Sequence, residues 1–148
     1  MSYSLNEYEA LCKKAARGIG MHWGQSEEVG KAARLLGTHG LDDGRLVLRD
    51  IETFGHQNAL LLGPALCDEG WTFEEPLVIR GIESPALMLP FLYMIVFDRK
   101  LSLCVTWDRF GAIVSSAGIY CILHDGLYKD GPLDISILEI SASRNYVL

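Results

Sequence analysis

Residues 15–36 read AARGIGMHWGQSEEVGKAARLL, and this stretch decides how the first part of the chain folds, because two helical patterns meet in it at a loop. Gly18 and Gly20 end the first pattern, since glycine is the usual residue just past the end of a helix. Arg17 and Trp23 flank the loop, so charge and aromatic surface are concentrated there. The sequence therefore predicts a helix-loop-helix corner, which is the first candidate for a binding site.

The helix upstream of this corner begins at a capping box. Ser4 precedes Glu7 by three residues, the spacing at which a hydroxyl and a carboxylate satisfy free backbone donors at a helix start. Apolar residues then recur at steps of three and four and line one face: Leu5, Tyr8, Cys12, Ala15, Ala16 and Ile19. The first helix is therefore predicted to begin after Ser4 and to end at the glycines.

The helix downstream of the corner is predicted over residues 25–36. Glu27 and Glu28 would then lie in its first turn, where the positive end of the helix dipole favours acids. Its apolar stripe is built from small residues, and Gly30 lies among them. Small contact positions let two helix backbones approach closely, so a tightly packed helix pair is expected.

The middle of the chain is less regular. Asp42 or Asp43 could cap a third helix, whereas the alternation in residues 45–49 also fits a short strand. Residues 56–70 mix polar, apolar and Gly-Pro signals, so irregular chain is predicted there, with one short helix at 65–69.

The second half of the chain carries the sheet. A long apolar run at 86–98 favours a buried helix, because it is longer than a single strand. Short runs rich in β-branched residues predict strands, at 77–82, 101–107, 110–116, 118–123 and 133–140. The two-residue connection Asp108-Arg109 indicates that the second and third of these strands form a hairpin. We therefore predict an α+β fold, in which an N-terminal helix pair and a further helix pack on a mainly antiparallel C-terminal sheet, with residues 1–148 as a single domain.

Composition argues against several classes of function. The net charge is −6, from 19 acidic and 13 basic side chains, so the summed field repels phosphate backbones and no nucleic-acid partner is expected. The N-terminus lacks a secretory signal, which predicts a cytoplasmic protein. The most apolar stretch, 86–97, is shorter than the roughly 20 residues that cross a bilayer, so no membrane association is expected.

No metal, cofactor or covalent catalyst is predicted. Cys12, Cys67, Cys104 and Cys121 form no CxxC pair, and the four histidines are isolated. A structural zinc site needs paired ligands, so we expect free thiols. No GxSxG motif is present, and the acids after Cys67 disfavour a thiolate. Whether the protein is an enzyme stays open.

The candidate ligand-binding residues are Arg17, Trp23, Glu27, Glu28 and Asp68. Free backbone donors at the start of the second helix could converge with Arg17 on a carboxylate or phosphate. The alternative is purely structural, with Trp23 as the plug of the corner and Arg17 paired to an acid. Glu27 and Glu28 point about 100° apart on a helix, so they cannot act on one bound atom.

The stretch SLNEYEALCKKAARGIGMHWGQSEEVGKAARLLGTHGL resembles the opening of a family of small bacterial proteins catalogued as a domain of unknown function, number 3726. The resemblance extends more loosely to GPALCDEG and SPALMLPFL. It implies a bacterial and intracellular protein, and it supplies no catalytic residues.

Two functional hypotheses follow. The first is a non-catalytic binding or assembly module that acts as a homo-oligomer, or docks on a partner protein, through its small-residue helix surface or a sheet edge. We favour it because the chain has no catalytic signature. The second is a small enzyme or carrier that binds a small anionic metabolite at the corner formed by Arg17 and Trp23.

Overall fold

The computed structural model describes residues 4–41, 45–52, 59–69, 75–97, 99, 101–125, 127 and 132–140. Four helices come first: α1 (Leu5–Gly18), α2 (Trp23–Thr38), α3 (Arg45–Glu52) and α4 (Ala59–Glu69). Strand β1 (Leu77–Ile82), a 3-10 turn (Pro85–Leu87) and α5 (Met88–Phe97) follow. The chain then forms β2 (Ser102–Trp107), β3 (Phe110–Ser115), β4 (Gly118–His124) and β5 (Leu133–Ile140). The predicted α+β fold is confirmed.

The five strands form one antiparallel sheet in the order β1-β5-β2-β3-β4. The predicted hairpin is present between β2 and β3, where Trp107 lies opposite Phe110. Asp108 turns the chain there with a φ of 42°, a left-handed conformation that aspartate tolerates better than most residues. The last strand, β5, inserts between β1 and β2, a placement that local sequence patterns do not contain.

Helix α5 packs on one face of the sheet, where it contacts β2, β3 and β4, and α2 and α4 pack on α5. Side chains on this inner face are buried, as at Leu103, Val105 and Val114. Cys104 points to the opposite side of β2, because successive side chains of a strand alternate. We call that opposite side the outer face of the sheet.

The start of α1 is the predicted capping box. The Ser4 backbone N–H donates to Glu7 Oε2 at 2.8 Å, and the Glu7 backbone N–H donates to Ser4 Oγ at 3.2 Å. The bond from the Ser4 backbone, followed by the Ser4 hydroxyl, lowers the pKa of Glu7. Glu7 is therefore charged at neutral pH and complements the positive end of α1.

The helix pair packs closely, as its small residues predict. A Cβ added at Gly30 of α2 would lie 2.7 Å from Lys13 Cε of α1, so the Lys13 stem occupies the space that glycine leaves. Ala32 and Ala33 are fully buried. The small-residue surface of α2 is therefore buried by contacts within the same chain.

The start of α2 differs from the prediction. The helix begins at Trp23. The Ser26 backbone N–H donates to the His22 carbonyl at 2.9 Å and forms the first helical turn. The His22 backbone N–H donates to Gln25 Oε1 at 3.3 Å. Glu27 and Glu28 therefore lie in the second turn, and the first turn holds no acid.

The middle of the chain is more helical than predicted. Residues 45–52 form α3, so the strand alternative is wrong, while Asp42 and Asp43 lie outside the described residues. Helix α4 (Ala59–Glu69) includes Pro64, although irregular chain was expected at that point. Leu60 and Leu66 of α4 are buried, and burial of this kind overrides weak local preferences.

Candidate functional site

The first candidate site is a groove between α1 and the start of α2, with a volume of about 500 Å³. We call it the α1–α2 groove. It is lined by Glu7, Ala10, Leu11, Lys13, Lys14, Arg17, Trp23 and Glu27. Three of the predicted ligand-binding residues, Arg17, Trp23 and Glu27, therefore share one groove.

Arg17 and Trp23 both line this groove and contact each other, and we call them the stacked pair. The Arg17 Cζ atom lies 3.3 Å from the centroid of the Trp23 ring, a cation–π contact. Trp23 is 65% exposed, so it is not the plug of the corner, and the structural alternative is wrong on that point. A guanidinium stacked by its flat face keeps its edge available for hydrogen bonds to a carboxylate.

Some of the other charged residues of the groove form ion pairs. Lys13 Nζ lies 3.1 Å from Glu27 Oε2 and 3.5 Å from Glu9 Oε1, and the bond to Glu27 is the main reason that the pKa of Lys13 is raised. Within the described residues, neither Lys14 nor Arg17 makes an ion pair. These two cations are therefore the ones that can meet an added anion.

A second groove of about 450 Å³ lies between α2 and α4, and we call it the α2–α4 groove. It is lined by His22, Gly24, Gln25, Glu28, Pro64, Cys67 and Asp68. Glu28 and Asp68 are thus separated from Arg17 and Trp23. Gly24 and Gln25, in the first turn of α2, also line this second groove.

The α2–α4 groove has little reactive chemistry. Glu28 is paired with Lys31 at 3.2 Å, and Asp68 is exposed. The Cys67 thiol donates to the Phe91 carbonyl at 3.5 Å. Burial, and then the charges of Glu28 and Asp68, raise the pKa of Cys67 to about 11. No group of three or more His, Cys, Asp or Glu in the described part of the chain could hold a metal ion.

Cys67 is expected to react slowly with iodoacetamide in the native protein. The ordinary thiol pKa is 9.0 and that of Cys67 is about 11, so at pH 8 its labelling should be about a hundredfold slower than in denaturant, and should accelerate about tenfold per pH unit. Because the pKa of Cys67 is higher in the folded protein than in the unfolded chain, the folded state favours the protonated thiol. The stability that this thiol contributes is therefore fully present below pH 9 and is lost as the pH rises towards 11.

Peptide mass spectrometry checks this labelling rate, with the Cys67→Ser variant identifying the signal. A native rate at pH 8 equal to the rate in denaturant would contradict the raised pKa.

Some features of the structure were missed in the sequence. Leu11 lines the α1–α2 groove and is 39% exposed, and its signal was a lone leucine outside the apolar stripe of α1. The outer face of the sheet carries a second set of exposed apolar side chains. These side chains lie on the same face because of the register between strands, and that register cannot be read from local sequence patterns.

The geometry thus defines an α+β protein whose N-terminal helix pair carries a cationic and aromatic groove. Residues 3–58 match the model of a family described as "Protein of unknown function (DUF3726)", so the predicted resemblance is confirmed over these residues. The looser resemblance of GPALCDEG and SPALMLPFL lies outside the matched range.

Comparisons with curated proteins and with solved structures found no match. Among the helices of the described residues, none is both long and apolar enough to cross a bilayer.

Proposed function

We propose that this protein is a non-catalytic assembly module that forms a homo-oligomer through the outer face of its sheet. The observation that supports the proposal is a row of apolar side chains that crosses four neighbouring strands. In this row Cys104 of β2 lies opposite Leu138 of β5 on one side and Ile113 of β3 on the other. Ile113 in turn lies opposite Tyr120 of β4. We call them the outer row.

The outer row ends on exposed apolar surface at the edge of the sheet. Tyr120 is 57% exposed and Leu123, also on β4, is 59% exposed. Among the described strands β4 is last in the order β1-β5-β2-β3-β4, so its outward edge can pair with another strand. A contiguous exposed apolar surface on a protein of this size is typical of an interaction site.

A second copy of the chain is the occupant that this surface fits best. The protein carries a net charge of −6, so two copies repel each other over most of their surfaces. The outer row is uncharged, and its neighbours Ser102, Thr106 and Ser136 are hydroxyl residues. In a two-fold dimer the same patch lies on both copies and must be compatible with itself, and a neutral patch meets that condition. The other surface considered from the sequence, the small-residue face of α2, is already buried within the chain.

The test is the molar mass in solution, measured by light scattering after gel filtration. The wild-type protein is expected to be a dimer or larger. Tyr120→Lys and Leu123→Lys place a charge in the interface and should each weaken it by about thirtyfold or more, as loss of an interface hot spot does.

The matched control is Phe97→Lys, because Phe97 is as exposed as Tyr120, at 57%, but lies on α5. It should leave the mass unchanged. A monomeric wild-type protein, or oligomers that persist in both β4 variants, would overturn the proposal.

A further inference from the structure

We propose that the α1–α2 groove binds a small organic monocarboxylate with an apolar body, which places its carboxylate on Arg17 and Lys14 and its body against Leu11 and Trp23. This site is separate from the outer face of the sheet. It stands or falls independently of the assembly proposed above.

Arg17 supplies the specificity for a carboxylate. Its guanidinium is held 3.3 Å above the Trp23 ring, so little side-chain freedom is lost when a ligand binds. The N–H groups at the edge of a guanidinium match the two oxygens of a carboxylate. Lys14, on the same helix three residues earlier, lines the same groove and adds a second cation.

The walls of the groove are prepared before a ligand arrives. Lys13 of α1 packs on Gly30 of α2 and bridges to Glu27, so the two helices are held at a defined separation. A groove that does not have to form on binding avoids an entropic cost that would otherwise reduce affinity.

The charge of the groove selects a monoanion. Lys13 is neutralised by Glu27, and the other charged residues of the lining are Lys14, Arg17 and Glu7. The net charge available to the ligand is therefore small and positive. A monocarboxylate neutralises this charge, whereas a doubly charged phosphate monoester would leave an excess negative charge beside Glu7, in a protein whose net charge is already −6.

The apolar part of the groove selects a ligand with an apolar body. Leu11 is 39% exposed and Trp23 is 65% exposed, and Ala10 also lines the groove. Covering these side chains with a hydrocarbon or aromatic group removes apolar surface from water, which favours binding. Small fully polar anions would leave this surface exposed.

The test uses benzoate as the probe and follows backbone amide signals of the isotope-labelled protein by NMR. Benzoate should shift, in a saturable manner, the signals of the residues that line the α1–α2 groove. Benzyl alcohol has the same body without the charge and should bind at least about tenfold more weakly, since hydrogen bonds to a charged partner are the stronger ones.

Two variants separate the site from the fold. Arg17→Gln should weaken benzoate binding by about tenfold or more and, because Arg17 is exposed, should melt at nearly the wild-type temperature. Lys31→Gln removes a cation from α2 outside the groove and should leave benzoate binding unchanged.

Three results would overturn the proposal. These are no saturable shifts with benzoate, benzoate binding that Arg17→Gln leaves intact, or tighter binding of phenyl phosphate than of benzoate. Tighter binding of phenyl phosphate would mean that the groove prefers a dianion to the proposed monocarboxylate. None of these measurements depends on the oligomeric state, so the failure of one proposal can be distinguished from the failure of the other.

Discussion

Replacement of Gly63 with alanine is expected to destabilise the protein by about 3 kcal/mol, at the upper end of what overpacking a core causes. Gly63 lies in α4, and a Cβ added there would overlap the ring of Phe91 of α5, with Phe91 Cε2 only 2.6 Å away. Phe91 is fully buried. Neither the ring nor the helix can move aside without disturbing the core, because protein interiors are close-packed.

The free energy of unfolding from denaturant titration measures this effect. Gly24→Ala is the matched control, since Gly24 also lies in a helix but has nothing within 4 Å of an added Cβ. It should be neutral, or stabilising by up to about 1 kcal/mol, because alanine favours helix more than glycine does.

A second variant identifies the cause of the Gly63 effect. Adding Phe91→Leu to Gly63→Ala should recover part of the loss, because the smaller side chain leaves space for the new methyl group. A Gly63→Ala protein as stable as the wild type would mean that α4 and α5 do not pack in this way.

Replacement of Trp107 with alanine is expected to cost about 4 kcal/mol, within the range for removing a buried tryptophan. Trp107 is 2% exposed, and its ring stacks on that of Phe110 with centroids 4.0 Å apart. The two residues are the last pair of the β2–β3 hairpin. The substitution therefore removes both core volume and the aromatic contact beside the turn.

The matched control is Trp23→Ala, which removes the same side chain from the surface. It should cost no more than about 1 kcal/mol, the value of an exposed cation–π contact. Denaturant titrations of the two variants give the comparison. If Trp23→Ala were as destabilising as Trp107→Ala, Trp23 would be a structural residue and the exposed stacked pair could not be a ligand platform.

Several elements could be predicted because their signals are local. The Ser4–Glu7 capping box involves residues three positions apart, and both of its hydrogen bonds are present. The β2–β3 hairpin was signalled by two β-rich runs with a two-residue connection, and the pairing of Trp107 with Phe110 follows from it. Contacts between near neighbours need no knowledge of the rest of the fold.

Helix α4 was missed because its local signals oppose it. Gly63 and Pro64 are typical of chain that ends a helix, yet both lie inside Ala59–Glu69. The helix is stabilised by packing on α5, where Gly63 gives the Phe91 ring its space. Such a contact joins residues far apart in the chain, and a propensity argument cannot include it.

The candidate site was predictable in part for the same reason. Arg17 and Trp23 are separated by one short loop, and they form the stacked pair. Glu27 and Glu28 diverge by about 100° around α2, so they line different grooves, and Glu28 lies with Asp68 instead of Arg17. Which neighbours each acid meets depends on the helices that pack on either side of α2.

The sequence by itself determined the α+β class, the Ser4–Glu7 cap of α1, the strands and the Arg17–Trp23 corner, because each depends on residues that are close in the chain. Only the tertiary structure decided that β5 lies between β1 and β2, and that the outer row and the α1–α2 groove are separate surfaces. Those features require residues from distant segments to meet. These long-range contacts form because they bury the apolar side chains of the whole core, and local sequence patterns do not specify them.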